Sequence, residues 1–289
     1  MKYPLITLYV PGNKAELIAK APKYKPDAVI LDLEDAVPES LKASVRTQLA
    51  HIIPDYPLTT LVRVNNDEAY LEQDVEAVAV KGLYGIVLPM VETADQVRLV
   101  DQVLTRRETE LGLPSGTFKI LIMIETPLGV IRCYENCKAS PRVESVVFAS
   151  AEDGDMQAEL KCAFSSDGYE MMYPRAKCLH DARAAKLPYV LDGAYSGVKD
   201  MAGLELDCVV SRRLGYDGRT LIYPGHLELA RKTYAPSAES IRHYTELVRI
   251  FDANLQSGSA AIVYEGKMID YAMYKKAKIF LKNAAMYFD

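Results

Sequence analysis

The chain has 289 residues, 49% of them hydrophobic, and a formal net charge of −5. That is enough apolar material for a large core, and no basic run is present to grip a nucleic-acid backbone or an anionic membrane surface. No apolar stretch reaches the ~18 residues of a membrane-spanning helix, and the opening MKYPLITLYV is interrupted by Pro11-Gly12 too soon for a signal peptide.

The five cysteines are odd in number and fall into no zinc spacing, so they are expected to be reduced thiols of a cytoplasmic protein. In chain order, short β-rich apolar runs recur at LITLYV (5–10), AVILDL (28–33), TLVRVN (60–65), YGIVLP (84–89), KILIMIE (119–125), SVVFAS (145–150), PYVLD (188–192) and RTLIYP (219–224). They are apolar almost without alternation, as parallel strands covered on both faces must be. Helical spacing fills the gaps. Leu41, Val45 and Leu49 share one face of ESLKASVRTQLAHI, and Val97, Val100 and Leu104 share one face of ADQVRLVDQVL. Eight strand–helix units predict an α/β fold, a TIM (β/α)8 barrel over residues 1–235, with an open doubly wound sheet as its rival. Residues 236–289 read as a C-terminal helical extension. A helix over APSAESIRHYTELVRIFDANLQ starts near Pro236 or Ser237, a flexible hinge follows at QSGSAA (256–261), and a last helix covers YEGKMIDYAMYKKAKIFLKNAAMYF (264–288).

A barrel of this type carries its active site at the carboxyl ends of its strands, and here those ends are acidic. The second strand runs out into Asp32, Glu34 and Asp35, the third carries Arg63, the fifth closes on Glu125, and the sixth leads through Ala151 into Glu152, Asp153 and Asp155. Carboxylates gathered at one mouth repel, and burial raises the cost, unless a cation neutralises them. A hard divalent ion such as Mg2+ takes one or two protein carboxylates and leaves its other positions to water and substrate. Glu125 and Asp153 are the best pair, each closing its own strand, with Arg63 set to bind a carbonyl or carboxylate oxygen beside the metal. The plainer alternatives are first-turn acids favoured by a helix dipole, a solvated loop capped by Asp35, and an Arg63 that is a structural partner of these acids.

At these residues the sequence resembles the citrate lyase β-subunit-like family, related to malyl-CoA and citramalyl-CoA lyases. The matching pieces are LYVPGNKAELIAKA, DAVILDLEDAVPES, LVRVN, GIVLPMVETADQV, IMIETPLGV, VVFASAEDGD, AAKLPYVLDGAY, LGYDGRTLIYP and EGKMIDYAMYKKAK. The resemblance implies a TIM barrel with a mobile C-terminal lid, assembled as a homotrimer or hexamer. It implies that Glu125 and Asp153 bind Mg2+, that Arg63 holds a substrate oxygen, and that Asp32, Glu34 and Asp35 lie behind the metal, the last two orienting its waters. Asp270, in the GKMID segment that matches the lid motif, is implied to act from a neighbouring subunit as general acid/base. Three stretches depart from the family pattern. Lys14 stands where a phosphate-binding arginine is usual, Pro89-Met90 replaces Pro-Lys, and Tyr223-Pro224 replaces His-Pro.

The reaction this implies is reversible retro-aldol cleavage of a 3-hydroxyacyl thioester of the citramalyl-CoA, malyl-CoA or citryl type. Its products are a 2-keto acid and an acetyl thioester on CoA or a carrier protein. Backbone amides after Ala151, with Glu152, are expected near the substrate carboxylate, and Pro127, Gly129 and the Lys14 loop near the carrier arm. Competing readings are a pyruvate-type aldolase that needs no CoA, an acyl-CoA thioesterase, and a non-catalytic subunit that binds a keto acid or CoA.

Overall fold

A computed structural model of the chain describes residues 3–165, 167–256 and 261–288. Its contacts divide it into two compact units, Pro4–Lys232 and a second made of the N-terminal residues up to Tyr3 with the segment from Thr233 onward.

The first unit is a closed barrel of eight parallel strands in sequence order. The strands are β1 (Ile6–Pro11), β2 (Ala28–Asp32), β3 (Thr60–Arg63), β4 (Leu83–Leu88), β5 (Lys119–Ile124), β6 (Val143–Phe148), β7 (Leu191–Asp192) and β8 (Gly218–Leu221). The expected barrel is borne out, and every apolar run overlaps a strand. Its rival fails because β1 pairs with both β2 and β8, leaving no sheet edge. All five residues of β2 are buried, which is why its sequence shows no alternation.

The helices between strands follow the same logic. Helix Lys42–Ile52 buries Val45 and Leu49. Leu41, expected on that stripe, lies instead in a 3-10 turn, Glu39–Leu41, and is exposed. Helix Ala94–Leu111 opens with a reciprocal Thr93–Gln96 capping box and buries Val97, Val100 and Leu104. The two-residue β7 is short for a barrel strand. Buried ion pairs anchor it: Arg175 reaches Asp192 at 2.8 Å and Asp207 at 2.6 Å, and Arg219 reaches Asp207 at 2.7 Å. These tie β7 and β8 to the helices Met172–Ala184 and Met201–Leu214. The five cysteines are free thiols. Among the described residues no helix is long and apolar enough to cross a membrane.

The second unit contains helix Ala238–Gln256, the antiparallel pair β9 (Ala261–Tyr264) and β10 (Lys267–Asp270), and helix Tyr271–Ala285. Ser237 Oγ accepts the Ser240 N–H at 3.1 Å, the expected cap. The hinge expected at 256–261 lies, for 257–260, outside the described residues. The last helix starts later than its sequence suggests, because residues 264–270 turn back as a hairpin. Glu265 and Gly266 both take positive φ, 48° and 74°, the signature of a two-residue primed turn. Ile269, Phe251 and Tyr274 then close a small core, with the two rings stacked at 4.6 Å.

Candidate active site

The mouth of the barrel is built from strand ends whose register fixes who meets whom. Asp32 and Arg63 are direct partners across β2 and β3. The guanidinium therefore grips Asp32 with two bonds, Nε to Oδ1 at 2.9 Å and Nη2 to Oδ2 at 2.7 Å. Its remaining Nη1 lies 2.7 Å from Glu34 Oε2 and 3.3 Å from Asp35 Oδ2. Burial pushes the Glu34 carboxyl up to about 8 against the pull of Arg63. The same guanidinium sits 5.2 Å from the ring centre of Tyr9, on β1. Burial raises the Tyr9 phenol above its usual range, so it stays protonated, and among the described residues its O–H has only the thioether of Met123, at 3.5 Å, as acceptor.

Glu125, one residue beyond β5, is in a different position. It is 5% exposed, and Oε1 accepts the Met90 N–H at 3.1 Å. No Lys or Arg forms an ion pair with it among the described residues. Burial, opposed by that N–H and by Arg63, pushes its carboxyl up to about 7. The loop after β6 supplies further acids. Asp153 takes an unusual positive φ of 58°, its N–H held by Gln157 Oε1 at 2.6 Å. Its carboxylate is exposed, and nothing pairs with it among the described residues.

These strand ends enclose a cavity of about 320 Å³. Asp32, Asp35, Arg63, Glu125 and Ala151 line it, as expected from the sequence. So do Asp155, the third acid of the loop after the sixth strand, and Tyr9 and Thr220, which the sequence does not single out. An apolar wall of Met123, Ala149, Ala194 and Ile222 completes it. The lining thus holds four carboxylates against one guanidinium that is itself engaged with acids. Glu34 lies behind Arg63, off the lining.

Other expected residues lie elsewhere. Glu152 and Asp153 are exposed and outside the cavity lining, and Asp155 takes the wall position in that loop. Pro127 and Gly129 do not line the cavity either. They open a short helix whose Thr126 cap accepts the Gly129 N–H, and a Cβ at Gly129 would fall 2.6 Å from Val91 O, so this glycine is a packing requirement. Lys14 is exposed in the loop after β1. Asp270 belongs to the second unit. There it caps the last helix, Oδ1 accepting the Met273 N–H at 2.9 Å. Among the described residues no three His, Cys, Asp or Glu side chains form a ligand cluster. Of the lining acids, Glu125 and Asp155 form no ion pair among the described residues, and carboxylate oxygens are the groups a hard cation such as Mg2+ takes, one or two at a time, while keeping most of its waters.

A sequence model of the HpcH/HpaI aldolase/citrate lyase family matches residues 5–224, the whole barrel. The chain belongs to this family. The citrate lyase subunit beta of Leuconostoc mesenteroides subsp. cremoris is 32% identical over 96% of this chain and 92% of its own. The (3S)-malyl-CoA thioesterase of Cereibacter sphaeroides is 32% identical over 91% of this chain and 88% of its own. A crystal structure of protein CitE from Mycobacterium tuberculosis, in complex with magnesium, acetoacetate and coenzyme A, superposes with a TM-score of 0.74 at 26% identity, over 97% of this chain and 98% of that one. The resemblance read from the sequence is borne out. As a member of the aldolase/citrate lyase family, the chain falls in a class of carbon–carbon lyases.

Proposed function

We propose that this chain is an Mg2+-dependent lyase that cleaves a 3-hydroxyacyl thioester to an acetyl thioester and a 2-keto acid, with CoA as the acyl carrier. One observation carries the metal: among the described residues, Glu125 is a buried carboxylate on a cavity wall with a single N–H donor and no ion-pair partner. Such a group keeps its charge only if a cation joins it. Related Mycobacterium tuberculosis structures in complex with magnesium and pyruvate, or with magnesium and oxaloacetate, support the choice of metal and 2-keto acid, and one with coenzyme A supports the carrier.

Glu125 and Asp153 hold the ion, Asp153 on its match to the family's strand-end acids, and Asp155 stands beside them on the wall. When bound, Mg2+ supplies Lewis-acid polarisation of the keto acid's carbonyl and carboxylate oxygens. The chain's own groups do the rest. Asp32, Glu34 and Asp35 fix the guanidinium of Arg63, whose charge faces the oxygen that becomes an alkoxide. The substrate hydroxyl's own proton passes to Asp35, a lining carboxylate open to solvent, and the neutral Tyr9 O–H, held among the described residues by nothing stronger than a thioether, donates to the alkoxide. Backbone amides after Ala151 hold the substrate carboxylate. Asp270, from the lid of a neighbouring copy in a homotrimer or hexamer, exchanges the proton at the acetyl carbon. Lys14 binds the phosphates of CoA.

Incubation of citramalyl-CoA, malyl-CoA and citryl-CoA with Mg2+ tests this reading. Release of a keto acid together with acetyl-CoA, stopped by EDTA, is the expected result. If free CoA accumulates without any keto acid, the thioesterase reading takes over, which the Cereibacter relative favours. Cleavage confined to free hydroxy-keto acids makes the chain a CoA-independent aldolase.

A further inference from the structure

We propose that Asn66, which touches neither cavity nor reacting atoms, is the positioning residue that sets the cation affinity of Glu125 by clamping the turn at Pro89-Met90. This role rests on Glu125 acting as a cation ligand, as proposed above.

The turn follows β4 and carries Met90. Met90 takes a φ of 48°, a left-handed conformation that a residue with a Cβ adopts only when its surroundings impose it. What the conformation achieves is visible one strand away: the Met90 N–H points at Glu125 Oε1, 3.1 Å off, and is the one hydrogen-bond donor holding that carboxylate among the described residues. What imposes it is visible on the other side. Chain running out of β3 lies beside β4, with the Val64 N–H bonded to Val87 O at 3.2 Å. This brings Asn66 level with the turn. Its Nδ2 donates to two successive carbonyls, Pro89 O at 2.7 Å and Met90 O at 3.1 Å. Only an amide nitrogen offers two donors to that pair of oxygens, so the flip state is fixed by chemistry. Beyond the turn, the Val91 N–H returns to Met123 O at 3.1 Å, and Val91 O is covered by Gly129. The turn is thus pinned at both ends, and Asn66 supplies the pin on the β3 side. Its neighbour Asn65 is committed elsewhere, to Asp74 and Leu33 O.

Groups behind a ligand that orient it typically change metal affinity by roughly 10- to 100-fold when removed. Asn66 acts through one more bond than that, so the low end applies. The test is calorimetric titration of Mg2+ alone into the intact chain, for wild type, Asn66→Ala and Asn66→Ser. The expected result is a Kd roughly 10-fold weaker in Asn66→Ala and intermediate in Asn66→Ser. Faster hydrogen exchange at the Met90 amide and turnover that recovers when Mg2+ is raised above the new Kd should accompany it. A general folding defect gives no such recovery. A Kd within about twofold of wild type in both variants overturns the role of Asn66 while leaving the metal site standing. If Asn66→Ala does not fold, Asn66→Ser decides by the same criterion. The metal reading itself fails in a different way, through a wild-type chain that binds no Mg2+ or binds it equally well as Glu125→Gln.

Discussion

The two rims of the barrel mouth are made of the same residue types and end in opposite electrostatic states. At β2–β3, Asp32, Glu34 and Asp35 surround Arg63, and every charge has a partner. At β5–β6, Glu125 and Asp155 line the same cavity, and among the described residues Glu125 has one backbone N–H and no ion-pair partner. The difference teaches that acidity alone does not mark a metal site. What marks it is acid left without a counter-charge where water and substrate reach.

Arg63→Met is the strongest way to break the comparison, because it converts the paired rim into an unpaired one. Asp32 and Glu34 then stay buried without their cation, and chemical denaturation is expected to register a loss of about 3–5 kcal/mol together with loss of turnover. A stable, active variant would show the pairing to be dispensable.

On the other rim, Asp153→Asn and Asp155→Asn together sharpen which loop acid completes the metal site. Asp153→Asn is expected to remove Mg2+-dependent turnover, at least ~10³-fold, and Asp155→Asn to lower it by less than ~10-fold. The reverse order in steady-state assays moves the second ligand to Asp155.

Tyr9 lines the cavity with its ring against Arg63 and its hydroxyl against the Met123 thioether. Tyr9→Phe keeps the ring and deletes the donor, so kcat should fall roughly 10- to 100-fold with KM and the Mg2+ Kd little changed. An unaltered kcat would remove Tyr9 from the reaction.

The smallest effect is one of pH. Glu125 is pushed up from its usual 4.5 to about 7. Below 4.5 the group is protonated folded and unfolded alike. As pH rises through this window the unfolded chain releases its proton first, so the metal-free protein loses stability up to about pH 7 and no further on this account. Glu34, pushed up to about 8, extends the loss. Mg2+ binds the ionised carboxylate, so the Tm gain on adding it should grow across the same window and vanish in Glu125→Gln. A Tm gain independent of pH would separate the metal from this residue.

The barrel and much of its mouth are legible in the order of residues by itself. Parallel strands buried on both faces must be apolar throughout, so all eight could be read without a fold in view. Residues closing such strands must face the carboxyl end, so Asp32, Arg63 and Glu125 could be read as neighbours too. The hairpin 261–270 was misread because Glu265 gives no warning of a positive φ and the flanking residues also suit a helix. Tyr9 was passed over because a tyrosine inside an apolar strand looks like core.

What only the tertiary structure decided is which acids are paired and which are not. Pairing depends on register across strands far apart in sequence, as between Asp32 and Arg63, and on backbone donors such as the Met90 N–H whose aim is set by Asn66. A run of letters carries residue types along one dimension. Charge balance is settled over a few ångströms in three, and there the barrel gives one rim its cation and leaves the other to find its own.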